Sequence, residues 1–115
     1  MIETILTVML GIIGGIAVGT QSQVVGEMSQ KVGATAGNFI VHVSGAVLAG
    51  LLLLARGGEQ IQNWRGLSWL NLGSGAFGVV LYLTLAQTLP RLGATAAIAL
   101  IIIGQLTTGI IIDHF

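Results

Sequence analysis

The eight formal charges of this chain fall in five places, and the gaps between them constrain its fold more than any other feature. Glu3 comes first, then Glu27 with Lys31, then Arg56, Glu59 and Arg65, then Arg91, and last Asp113. The uncharged intervals run from Thr4 to Gly26, Val32 to Ala55, Gly66 to Pro90 and Leu92 to Ile112. Each is close to the ~20 residues that a helix needs to cross about 30 Å of hydrocarbon. An ionised group is costly at the centre of a span and cheap near water, so the charges mark where the chain leaves the bilayer. Only 7% of the 115 residues are charged, against about 25% in a soluble domain.

The expected fold is therefore all-α: one polytopic membrane domain over 1–115, with four transmembrane helices at about 4–26, 34–55, 67–89 and 93–112. Glu3 replaces the basic start of a secretory signal, and three similar segments follow the first. The chain has no cysteine, which excludes disulfides and thiolate metal sites. Its basic residues do not cluster, so nucleic acid is not an expected partner. No metalloprotease or P-loop spacing occurs, and no serine or acid stands beside a base within a plausible cleft, so neither an enzyme nor a cofactor is implied.

Four crossings put Arg56 and Arg65 on the side of both termini, with Lys31 and Arg91 on the other. Basic residues near span ends gather on the cytoplasmic side, and here they balance two against two. The expectation is insertion in both orientations and an antiparallel homodimer. Trp64 and Trp69 flank Arg65 as interfacial anchors. Lys31-Val-Gly-Ala-Thr-Ala36 returns in the second half as Arg91-Leu-Gly-Ala-Thr-Ala96, which suggests two related helical hairpins. Gly11, Gly15 and Gly19 form a stripe expected to pack against another helix, because small residues permit close backbone approach in lipid. The run Gly73-Ser-Gly-Ala-Phe-Gly78 thins the third span for packing or bending.

Polar groups inside spans need partners in protein or a cavity. Gln21, Asn38, His42, Tyr82 and Gln105 are the expected substrate-binding residues, with Gln23 and Gln87 as further amides. His42 is the one imidazole well inside a span, and an imidazole can carry a proton near neutral pH. Glu27 is the second candidate for coupling; it lies four residues before Lys31, a spacing that allows an ion pair.

The motifs Leu89-Pro-Arg-Leu-Gly-Ala-Thr95, Gly104-Gln105 and Asp113-His-Phe115, with Gly15 and Gln21 upstream, resemble the YdcZ-like family of the drug/metabolite transporter superfamily. The resemblance implies a small-molecule transporter of the bacterial or archaeal cytoplasmic (inner) membrane. Val25 stands where the family shows an asparagine, and His42 where it shows an aromatic residue. Such relatives continue through a glycine into a fifth span, whereas this sequence ends at Phe115; a natural four-span form, a shortened chain and an engineered form all stay open. Leu85-Ala-Gln-Thr-Leu89 is similar to the central hairpin of small multidrug resistance proteins, whose first-span glutamate has no counterpart here. Gln21 lies in that neighbourhood, which implies recognition by neutral hydrogen bonding. Two other functions compete with transport: a non-transporting assembly subunit or half of a heterodimer, and a small ion channel.

Overall fold

A computed structural model describes residues 1–115, and it is helical nearly throughout, with no strand. Five α-helices follow in order: α1 (Ile2–Val32), α2 (Ala34–Ala55), α3 (Trp69–Leu72), α4 (Gly75–Leu92) and α5 (Ala94–His114). A 3-10 turn over Ile61–Gly66 lies between α2 and α3. Helices suit such a sequence because hydrocarbon offers no partner to a bare N–H or C=O, so each backbone group must bond within its own segment. The hydroxyls of Thr20, Thr84, Thr88, Thr107 and Thr108 follow the same logic: each donates to the carbonyl four residues back.

Three helices are long and apolar enough to cross a membrane: α1, α2 and α5. The third uncharged interval is not one continuous helix. Ser68 starts a helix at once, since its hydroxyl accepts from the Asn71 N–H while the Asn71 side chain accepts from the Ser68 N–H. That helix stops at Gly73 after a single turn, and α4 restarts at Gly75. The start of the glycine-rich run thus serves as a bend, while Gly78 at its end packs closely against His42.

Both hairpins turn on one residue. Gly33 has φ 95° and ψ 158°, and Gly93 has φ 83° and ψ 165°, a region that essentially only glycine visits. Each glycine ends one helix and begins the next: Gly33 N–H donates to Ser29 O and its carbonyl accepts from Gly37 N–H, as Gly93 does with Leu89 and Ala97. The echoed hexapeptide therefore encodes the same turn twice. Burial repeats with it, since Ser22, Val25 and Gly37 are buried in the first half and Tyr82, Leu85 and Ala97 at the matching positions of the second.

The core is small and sits where the two hairpins meet. Val25, Tyr82 and Leu85 form it, with Val41, Ala86, Leu89 and Ile101 packed around. Only seven residues are buried in all, and the first half of α1 and the second half of α2 stand clear of the rest. Gly11, Gly15 and Gly19 have open space where a side chain would be, so their stripe packs against no other helix of the same chain. Gly11→Ala is accordingly expected to leave the single chain's helix content unchanged by circular dichroism, or to raise it slightly, because alanine favours helix by about 1 kcal/mol over glycine.

Candidate functional site

Two crevices flank the seam between α1 and α4, and Gln21 on α1 lines both, with Leu81 and Leu85 opposite on α4. The first, of about 100 Å³, lies between α1, α2 and α4 and adds His42, Gly78 and Tyr82. The second, of about 180 Å³, lies between α1, α4 and α5 and adds Ser22, Gln105 and a wall of isoleucines. They are counterparts under the repeat: Val18 and Ile102 in the second occupy the positions of Gly78 and His42 in the first.

A short polar network backs the first crevice. His42 Nδ1 lies 2.8 Å from the Asn38 carbonyl oxygen, which can only accept, so Nδ1 carries a proton. The Asn38 amide nitrogen donates to Val79 O at 3.3 Å, tying α2 to α4. Tyr82 is 3% exposed, and its hydroxyl accepts from Ser29 Oγ at 3.2 Å, which ties α4 to α1. Asn38 Oδ1 is buried with no donor, a state that costs about 1–3 kcal/mol. Glycines let these side chains in: a Cβ at Gly78 would stand 3.0 Å from His42 Nε2, and one at Gly37 would overlap the Tyr82 hydroxyl.

The expected site residues thus divide. Gln21, His42 and Tyr82 meet in the first crevice, and Gln21 meets Gln105 in the second. Asn38 lines neither and stands behind His42. Gln105 also rims a wide, open groove with Phe77, Gly104 and Thr108. Glu27 lies elsewhere, in a shallow groove with Gln23, Gln30 and Pro90. It makes no ion pair with Lys31; Arg56 and Glu59, 3.9 Å apart, form the one salt bridge. Gln87 is exposed and lines none of these cavities.

Ser29, Gly37, Gly78 and the Val79 carbonyl complete the network, and none was expected from the sequence. Laying the second half over the first would have exposed one of them, because Val18 faces Gly78 in that alignment while Ile102 faces His42.

The model of the DMT_YdcZ family, described as "Putative inner membrane exporter, YdcZ", matches residues 6–115. No curated protein and no solved structure matched the chain.

Proposed function

Because the chain belongs to the YdcZ family, whose description is that of an inner-membrane exporter, we propose that it moves a small molecule across the bacterial inner membrane as an antiparallel homodimer with alternating access. One observation carries this reading: two matching crevices lie on either side of the α1–α4 seam and share Gln21. Substrate contacts fall to Gln21, His42, Tyr82 and Gln105, with Asn38 holding the His42 ring. His42 takes the coupling role ahead of Glu27, since it shares a crevice with Gln21 and Tyr82 whereas Glu27 lines a separate groove.

In this reading α4 is the third of four crossings, its eighteen residues spanning about 27 Å, and α3, which begins with Trp69, lies at the interface near Trp64. Arg65 stacks over the Trp64 ring at 5.5 Å, an arrangement suited to a headgroup layer. A second copy supplies what one chain lacks, a partner for the long arms of α1 and α2 that touch nothing. Opposite orientation of the two copies gives inward- and outward-facing states like energies, as inverted repeats do in larger transporters.

Orientation is tested with reporters fused after Phe115, one active in the cytoplasm and one outside. Both are expected to be active. Lys31→Gln should raise the cytoplasmic signal and Arg56→Gln the external one, because Lys31 lies on the side opposite the fused C-terminus and Arg56 on the same side, and the side left more positive stays in the cytoplasm. A single active reporter, unmoved by either change, would reject the antiparallel homodimer. For transport, proteoliposomes screened with a metabolite panel should show saturable flux that Gln21→Leu lowers while the dimer persists in detergent. Leucine already fills the matching position, 81.

A further inference from the structure

The two crevices share a plan but differ at one pair of positions. Where the α1–α4–α5 crevice has Val18 and Ile102, the α1–α2–α4 crevice has Gly78 and His42. The exchange is complementary in volume: the missing side chain at Gly78 leaves room for the imidazole, whose Nε2 comes within 3.0 Å of a Cβ placed there. One crevice is thus polar where its twin is aliphatic.

The ring's two nitrogens have different duties. Nδ1 is held by the Asn38 carbonyl, and Asn38 is itself held by Val79 on α4. Nε2 has no hydrogen-bond partner in the protein and is not sealed from the cavity as Asn38 Oδ1 is. In the neutral ring the proton sits on Nδ1, so Nε2 presents a lone pair and can only accept. No charged side chain lines this crevice; the nearest candidate acid, Glu27, belongs to a separate groove. A fixed cation there would be desolvated without a counter-charge.

We propose that the α1–α2–α4 crevice binds a neutral molecule through an N–H or O–H group donated to His42 Nε2. The inference rests on the transport reading for calling the crevice a substrate site, and adds the chemistry of what enters it. Gln21, which can donate or accept, adapts to the remainder of the ligand. Gly78 is a positioning residue that keeps the imidazole facing the cavity.

The test uses the full-length protein in lipid nanodiscs, labelled with ¹⁵N at histidine, with His114→Gln to assign the two rings. The probes are pyrrole, which has one N–H donor, 1-methylpyrrole, which has none, and guanidinium, a charged donor. The expected result is a free-state Nε2 resonance of an unprotonated nitrogen that pyrrole shifts saturably. 1-Methylpyrrole should bind about tenfold more weakly, the worth of one hydrogen bond, and guanidinium should produce no saturable shift. The double variant His42→Ile with Gly78→Val copies the pair that the other crevice already accommodates, so it should fold and lose saturable pyrrole binding by ligand-observed saturation transfer.

Equal response to pyrrole and 1-methylpyrrole, a protonated Nε2 in the free state, stronger guanidinium binding, or undiminished pyrrole binding by the folded double variant would each overturn the proposal. Binding as expected without any flux in proteoliposomes would instead remove the transport reading and leave the recognition chemistry standing. Flux without donor-dependent binding would do the reverse.

Discussion

Gly33→Val is expected to lower the thermal midpoint of the detergent-held protein more than any other single change in the helices, and Gly93→Val to do the same. At φ 95° and ψ 158° a side chain meets its own backbone, which costs about 1–3 kcal/mol for an ordinary residue and more for a β-branched one. The cost has no local escape. The Gly33 N–H donates to Ser29 O, the last turn of α1, while its carbonyl accepts the first bond of α2 from Gly37 N–H. Moving φ out of the positive region therefore breaks a bond at one helix end or the other. Gly50→Ala is the control: it lies within α2, at ordinary helical φ, with nothing within 4 Å of an added Cβ, and should be neutral or slightly stabilising. Thermal midpoints of Gly33→Val and Gly50→Ala that agree would show that the turn does not depend on glycine.

Much of this architecture can be read from the charges alone, because hydrocarbon leaves an uncharged run of about twenty residues few choices other than a helix. The failure in the third interval is equally physical. Ser68 and Asn71 satisfy each other's backbone donors so well that a helix starts at Trp69, one turn before Gly73 and Gly75 interrupt it. Glu27 and Lys31 have pairing distance in their spacing, yet an exposed pair gains little and loses side-chain freedom, so they stay apart. Polar residues in apolar spans pointed to Gln21, His42, Tyr82 and Gln105 because lipid gives them no partner. Their division into two crevices was hidden, since it depends on which helix lies beside which. The glycine stripe of α1 shows the same limit: sequence reveals a smooth face but not whether its partner belongs to the same chain.

The second large effect concerns Gly37 and Tyr82, and it is expected to be non-additive. Gly37→Ala alone places a methyl on the Tyr82 hydroxyl. The ring cannot swing aside cheaply, being 3% exposed and packed with Val25 and Leu85, so the change should cost about 1–3 kcal/mol, as overpacking does. Tyr82→Phe alone strips Ser29 Oγ of its acceptor, a loss of about 1 kcal/mol. Together the two should cost less than their sum, because removing the hydroxyl takes away the closest atom and leaves Cζ at 3.2 Å. The repeat-related pair shows the alternative solution: Ala97 stands at the position matching Gly37, and Ser22 at the position matching Tyr82. Small opposite large has been exchanged for medium opposite small, with both residues buried in each case. Gly37→Ala with Tyr82→Ser copies that pair but removes an aromatic ring from the core, so it should be less stable than Gly37→Ala with Tyr82→Phe. Midpoints from the two cycles decide the matter. If Gly37→Ala and Tyr82→Phe add within about 0.5 kcal/mol, the two residues do not meet as the fold requires, and the first crevice would need another wall.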